Sequence, residues 1–300
     1  MGSVLRYSNM GDRISRSIQV ARESYAVLRG NRSLAIFPVL SAIGAIVVSI
    51  PFLVPIILTL IGQQTSKHPV AFDTLHWVLT AGLYFANYFV AIFFNTALVA
   101  CANEELNGRK ATVAFGVESA MKRLPQILGW ALLASTIGMV LRTISERMGI
   151  IGTLVTSLIG MVWNLAVYFV VPSLALEGVG PIEAVKTSTA MIKRTWGESI
   201  MLGVGMGTVT GLLILASLIP FGIGIGLLIA QQFILGAAML VLGLVYIVGV
   251  TIVASSMTTI FQTALFIYCR TGVVPNGFQS ASIQGAFREK PVRTVFGRRI

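Results

Sequence analysis

From Ser199 to Cys269 the chain runs 71 residues without one Asp, Glu, Lys or Arg. A single bilayer crossing takes about 20 predominantly apolar residues, so this run holds at least two crossings, and three fit by length. The rest of the sequence agrees. Hydrophobic residues make up 55% and charged residues 11%, against roughly 25% charged in a soluble domain. The chain reads as an all-α integral membrane protein.

A unit recurs along it. Three basic amphipathic stretches end Ala26-Val27-Leu28-Arg29, Ala120-Met121-Lys122-Arg123 and Met191-Ile192-Lys193-Arg194, and each runs into a pair of membrane-length apolar segments. Phe94-Asn95-Thr96-Ala97-Leu98 returns as Phe261-Gln262-Thr263-Ala264-Leu265. The interval from Arg29 to Asn95 is 66 residues and that from Arg194 to Gln262 is 68. Repetition at a fixed period marks one structural unit used several times. The expected architecture is six transmembrane helices in three repeats, about 12–102, 103–176 and 177–270, each an interfacial amphipathic helix plus a two-helix hairpin. Residues 1–270 form one membrane domain in this reading, and 271–300 a basic cytoplasmic tail.

The net charge of +11 is concentrated before the first apolar run and after the last. Excess Lys and Arg mark the cytoplasmic side of a membrane protein. With six spans both termini lie there, and 19 of the 22 basic residues fall inside, leaving only Lys67, Arg142 and Arg147 outside. No aromatic-basic interleaving or recognised nucleic-acid module accompanies these charges, so nucleic acid is not an expected partner. Membrane lipids are, through anionic headgroups of the inner leaflet; basic residues near that surface contribute roughly 1 kcal/mol each. Cys101 and Cys269 fall near cytoplasmic span ends, where a disulfide is not expected.

The amphipathic stripes are Ile14, Ile18, Ala21, Tyr25 and Leu28, then Val113, Val117, Met121 and Leu124, then Ile182, Val185, Thr189, Ile192 and Trp196. An apolar stripe beside a basic face suits a helix lying along headgroups. The spans are expected at 33–61, with Pro51 and Pro55 bending or ending its outer half, then 75–102, 125–141, 150–176, about 199–218, and most of 233–268. The last window is long enough to require tilt, an inner overhang, or a break near Gly243 or Gly249. Residues 220–232 form an outer turn or a re-entrant piece.

The sequence contains no G-x-S-x-G, H-E-x-x-H or P-loop motif. Gly222, Gly224 and Gly226 lack the spacing and the βαβ context of a dinucleotide fingerprint. His68, Asp73 and His76 cluster near the outer end of the second span, too few and too unsupported for a metal site. No catalytic residue, cofactor or metal is expected. The residues singled out are structural or interacting ones. Glu177 ends the fourth span before the helix opened by Pro181. It either meets the positive end of that helix dipole or pairs with Lys193, Arg194 or Arg123. Trp196-Gly197-Glu198 forms the joint into the fifth span, with Trp as the interfacial anchor. Arg29, Arg123 and Arg194 close the three amphipathic helices. Asn95, Asn164 and Gln262 are amides within spans, placed there either for interhelical hydrogen bonds or to line a polar cavity. Thr251, Ser255, Thr258 and Thr259 continue the side of Gln262. Gly203, Gly207 and Gly211 form overlapping GxxxG steps, which let helices approach closely. The spans carry no ionisable residue at mid-depth, against an ion-coupled pump.

Tyr168-Phe169-Val170-Val171-Pro172, the block 177–184, and Lys193-Arg194-Thr195-Trp196-Gly197-Glu198 carry a family likeness. So does Val27-Leu28-Arg29 followed by Leu34 and Phe37-Pro38-Val39-Leu40-Ser41. Together they resemble a family of uncharacterised bacterial six-span membrane proteins. That family is distantly similar to the membrane domain fused to glycerophosphodiester phosphodiesterases. The resemblance covers residues 12 to about 270. It implies a bacterial cytoplasmic membrane and an all-helical fold, and it brings no activity. The functional expectation is a non-enzymatic scaffold or accessory subunit, with a membrane-protein partner or a second copy. The alternative is a transporter or lipid-handling protein with a polar intramembrane cavity.

Overall fold

A computed structural model describes residues 10–64, 74–195, 210–211 and 213–285. No strand occurs among them. The helices are α1 (Met10–Gly30), α2 (Ile36–Gln64), α3 (Thr74–Leu106), α4 (Val113–Lys122), α5 (Leu124–Ala166), α6 (Val170–Pro172), α7 (Pro181–Thr195), α8 (Leu218–Ile229), α9 (Phe233–Thr271) and α10 (Ser280–Gly285). Among the described residues five segments are long and apolar enough to cross a membrane: Arg32–Leu58, Leu75–Leu106, Leu124–Gly149, Gly152–Glu177 and Phe233–Thr271. Most of the expected fifth span, with Gly203 and Gly207, lies outside the described residues, as do Trp196, Gly197 and Glu198. Gly211 has no neighbour within 4 Å of where a side chain would begin.

Several expectations need correction. Pro51 and Pro55 sit inside α2, which runs on to Gln64. A transmembrane helix tolerates proline because neighbouring helices and local adjustments satisfy the freed carbonyls. The third and fourth expected spans meet at a single non-helical residue. Helical geometry continues through Arg142, Glu146 and Arg147, and the chain reverses at Gly149, with φ 58° and ψ −135°. Only glycine occupies that region readily. The two halves of α5 lie antiparallel, so Trp130 stacks on Trp163 with ring centroids 6.0 Å apart. Residues 220–232 are not a plain outer turn. Most of them belong to α8, which packs antiparallel against α9. A Cβ on Gly224 would lie 3.1 Å from the carbonyl of Gly236. The turn between these helices closes when the Gln232 amide donates to the Leu227 carbonyl and the Gln231 amide to that of Leu228, with Gln231 at φ 61°. That pairing is a Schellman motif built without glycine. The α9 helix spans 39 residues without a break. Gly243 does not interrupt it; the Phe221 ring approaches there instead.

Burial is uneven along the spans. Phe37, Ala97, Leu98, Cys101, Phe169, Leu174, Phe261, Ala264 and Leu265 are buried, all near one end of their helices. Toward the other end Ile46, Val47, Ile50, Leu58, Leu158, Met161, Val241 and Val245 are exposed. The core therefore sits at the end that carries Arg29, Arg123 and Arg270. There α3 is the shared helix, packing against α2, α4, α5 and α9.

The three amphipathic helices dock on this core with small residues beside part of their apolar stripes: Val113, Val117 and Val185 pack against it, and Leu28 and Ile192 are buried. In α4 the buried positions are Gly116 and Ala120, while Met121 is exposed. In α7 they are Ala184, Ser188, Met191 and Ile192, while Ile182 is exposed. In α1 they are Val20, Glu23, Ser24 and Leu28, while Ile18 and Tyr25 are exposed. A small side chain lets two backbones approach, and polar tethers fix the fit. Phe169 N donates to Ser188 Oγ at 2.9 Å. Cys101 Sγ donates to the Thr112 carbonyl at 3.3 Å. Asn31 Nδ2 donates to the Ala111 carbonyl at 2.8 Å and to Glu105.

The expected boundary at residue 270 also shifts. After Gly272 the chain turns back onto the core: Asn276 N donates to the Leu106 carbonyl, and Phe278 and Ile283 are buried. Ser282 Oγ donates to Glu23 Oε1 at 2.7 Å. Residues through Gly285 pack on the core, with Phe278 against the Phe261 ring of α9 and Gly277 against Val27 of α1.

A Cβ at Gly116 would lie 2.5 Å from the Phe37 ring, 2.7 Å from Cys101 Sγ and 2.9 Å from the Ala97 carbonyl. Gly116→Val is expected to cost about 2–3 kcal/mol by overpacking. Thermal unfolding in detergent should show this loss, with Gly160→Val, at a glycine whose side-chain position is open, nearly neutral.

Candidate functional site

The amides expected within the spans are brought together in part. Thr259 Oγ1 on α9 donates to Asn95 Oδ1 on α3 at 3.2 Å. Gln262 Nε2, one turn further along α9, donates to the carbonyl of Tyr168 just before α6. Asn95 and Gln262 therefore tie α9 to α3 and to the end of the fourth span. Asn164 stands apart. It is exposed, at the rim of a separate cleft of about 340 Å³ between α3 and the two halves of α5. The three amides do not line one cavity.

A larger cleft, about 660 Å³, opens between α2, α3 and α9. Its apolar walls include Phe37, Ala45, Phe94, Leu98 and Ile252, and Ile43, Ile46 and Val248 stand exposed at its rim. The polar groups in it are Ser41, Asn95, Thr251 and Ser255. No ionisable residue lines it. Its polar groups are unlike their neighbours. On α9, Ser256, Thr258, Thr263 and Thr271 each donate to a carbonyl four residues back, and Thr259 donates to Asn95. Ser49 on α2 also bonds back, to the Ala45 carbonyl. Such bonds satisfy a hydroxyl within its own helix. Thr251, Ser255 and Ser41 have no hydrogen-bond partner among the described residues, and neither does Asn95 Nδ2. Thr251 and Ser255 are thus the hydroxyls of α9 left available to the cleft; the buried hydroxyls of Ser24, Thr96 and Ser173, outside the cleft, also lack partners.

The depth of these groups follows from the docking of α4. Gly116 rests against Phe37, Ala97 and Cys101, so α4 lies at their level. At about 1.5 Å per helical residue, Asn95 lies roughly 3 Å deeper than Ala97, and Ser41 roughly 6 Å deeper than Phe37. On α9, Ser255 and Thr251 lie one and two turns beyond Thr259, roughly 6 and 12 Å by the same rise. The four groups form a ladder descending from just beneath α4.

Glu177 has a partner other than those expected. It pairs with Arg270, the first cation after the charge-free run, and not with Lys193 or Arg123; the side chain of Arg194 lies outside the described residues. The five residues Ser173–Glu177 form a π-helical turn, which rotates the carboxylate toward the end of α9. Arg123 serves the same joint differently. Its guanidinium lies against Gly178, and Nε reaches the Ala175 carbonyl at 3.4 Å. Gly178, at φ 69°, leaves no room for a side chain. Pro181 opens α7 and packs 2.9 Å from where a Gly129 side chain would start. Arg29 is exposed in the last turn of α1. Sequence reasoning missed Ser41 and Arg270. The position of Arg270 at the end of a 71-residue uncharged run was a signal for the second.

The remaining polar cluster is at the opposite end. Arg142 Nε donates to Glu146 at 2.7 Å and its Nη1 to Tyr84 Oη at 2.5 Å, beside His76 and Trp77. His68 and Asp73 lie outside the described residues. Among the described residues no three His, Cys, Asp or Glu side chains converge on a metal-sized site.

Arg270→Ala is expected to lower stability by about 1–2 kcal/mol, between the surface and buried limits for ion pairs, because it strands the mostly buried Glu177. Arg109→Ala, which breaks the exposed pair with Glu104, should leave the melting temperature in detergent unchanged.

None of the curated proteins matches the chain. One family model matches residues 74–277, from the start of α3 to the turn beyond α9. The match includes two walls of the larger cleft and the Glu177–Arg270 joint, and it covers more than half of the chain. The protein is a member of the family described as a family of unknown function, DUF6159.

Proposed function

We propose that this protein is a non-enzymatic, lipid-handling protein of the bacterial cytoplasmic membrane that holds a lipid in the cleft between α2, α3 and α9. The observation that carries this reading is the cleft itself: about 660 Å³, apolar-walled, rimmed by exposed aliphatic side chains, with unbonded polar groups inside. Volumes of several hundred Å³ with a few placed polar groups suit small-molecule and lipid sites. The cleft's rim of Ile43, Ile46 and Val248 belongs to spans, so its mouth faces acyl chains. In this reading the protein has six spans in three repeats, with both termini cytoplasmic. Supporting it are the order α1 then α2 and α3, α4 then the two halves of α5, and α7 then the segment leading to α8 and α9. The stripe residues left exposed, Ile18 and Tyr25 of α1, Met121 of α4 and Ile182 of α7, lie in the inner leaflet beside anionic headgroups. The bacterial membrane and the distant likeness to the domain fused to glycerophosphodiester phosphodiesterases enter from the sequence blocks alone.

A scaffold or accessory-subunit reading is favoured by one observation. Asn164 is an exposed amide in a membrane-length segment and has no hydrogen-bond partner among the described residues. An amide facing lipid gains by bonding to another helix, roughly 0.6 kcal/mol and up to 1–2, and a partner subunit or second copy would supply that bond.

Gentle extraction followed by native mass spectrometry separates the two. A lone protomer carrying lipid, with the lipid lost in Ala45→Trp and kept in Leu132→Trp on an exposed face of α5, is the expected result. A defined protein partner at fixed stoichiometry, lost in Asn164→Leu and indifferent to Ala45→Trp, would replace this reading with the scaffold. For the six-span arrangement, reporter fusions after Arg147 should face away from the cytoplasm, and fusions after Arg109 and Gly285 toward it.

A further inference from the structure

We infer that the cleft selects its lipid through an uncharged oxygen acceptor, the carbonyl of an acyl ester, and not through a charged headgroup; this rests on the lipid-holding reading above. Three observations lead there. First, the available groups are one amide NH2 and three hydroxyls: Asn95 Nδ2, Ser41, Thr251 and Ser255. The amide nitrogen is a donor only, and each hydroxyl can donate, so the set matches a ligand rich in acceptors.

Second, the cleft holds no Lys, Arg, His, Asp or Glu. A phosphate drawn into such a site would be a buried charge without a partner, which costs several kcal/mol or more. A neutral carbonyl incurs no such cost and gains hydrogen bonds that lipid tails cannot offer. The part of the ligand inside the cleft is therefore neutral, and a phosphate, if the lipid has one, stays outside.

Third, the depth fits. The polar ladder starts just beneath α4 and descends by roughly 12 Å along α9. With α4 at the boundary between headgroups and acyl chains, its upper rungs, Asn95 and Ser41, meet the level of glycerol esters. Thr251 and Ser255 lie deeper, beside the first part of the chain. The Asn95 side chain is fixed in orientation, because Thr259 donates to its carbonyl oxygen at 3.2 Å, and this aims the NH2 away from that bond. Asn95 is then the selecting donor and Thr259 its positioning residue.

The test compares a diacyl phospholipid with its dialkyl-ether counterpart of the same headgroup and chain length. An ether keeps the shape and headgroup but removes the carbonyl acceptor. The purified full-length protein in detergent micelles is titrated with each lipid and read by native mass spectrometry. The expected result is a three- to tenfold preference for the diacyl form, the worth of about one hydrogen bond. It should be the same for a zwitterionic and an anionic headgroup, and be lost in Asn95→Leu. Because Asn95→Leu also removes the contact to Thr259, the double variant Thr251→Val with Ser255→Ala serves as the second probe and should weaken the preference without unfolding the protein. Equal binding of ester and ether lipids, blocked in both cases by Ala45→Trp, would overturn the ester inference and leave the lipid-holding reading standing. A preference that follows headgroup charge would do the same. Lipid binding indifferent to Ala45→Trp, or no retained lipid, would overturn both.

Discussion

Lipid gives two helices no hydrophobic reason to associate, since acyl chains are as apolar as leucine. What holds this bundle is close backbone approach and a handful of polar contacts, gathered at the end of the bundle that carries Arg29, Arg123 and Arg270. Gly116 sits on the carbonyl of Ala97, Ser188 receives the Phe169 amide, and Gln262 reaches the carbonyl of Tyr168. Each contact needs a small residue or an amide at one position, and each fixes a short helix or a span end to its neighbour. The distal halves of the spans have fewer such contacts and leave large aliphatic side chains exposed.

The cleft follows from that arrangement. Small residues draw α2 and α3 together at Gly44, where a side chain would lie 2.9 Å from Val90, and at Gly82 against Phe52. α9 is tied to α3 lower down, through Thr259 and Asn95. Between these two seams α9 and α2 do not close on each other, and the gap is lined by Ser41, Asn95, Thr251 and Ser255. The same amide serves both purposes: its oxygen accepts from Thr259 of α9, and its side chain lines the gap.

The Glu177 joint shows how far local sequence carries. A carboxylate before a proline-opened helix pointed either to that helix's dipole or to a pair with Lys193, Arg194 or Arg123. The pair forms with Arg270 instead, because the π-helical turn at Ser173–Glu177 turns the side chain toward the end of α9. Nothing in the spacing of apolar residues encodes that extra rotation. The amphipathic helices illustrate the same limit. Their bulky stripes were legible at steps of three and four. The face that meets the protein was legible only in part: Leu28, Val117, Val185 and Ile192 belong to the stripes, but Gly116, Ala120, Ala184 and Ser188 carry little hydropathy and matter for the space they leave.

By itself the sequence determined that this chain is a helical membrane protein, where its apolar segments lie, and which end of them is basic. Those properties depend on composition and period, and bilayer thickness converts them directly into spans. It also identified the amides and hydroxyls of α3 and α9, because polar residues stand out within apolar runs. Only the tertiary structure decided which of them bond to each other and which face a cleft. It also decided that the chain reverses at the single non-helical residue Gly149 and that residues through Gly285 return to the core. These outcomes depend on where distant backbones meet, to within a few tenths of an ångström, and hydropathy carries no information at that scale.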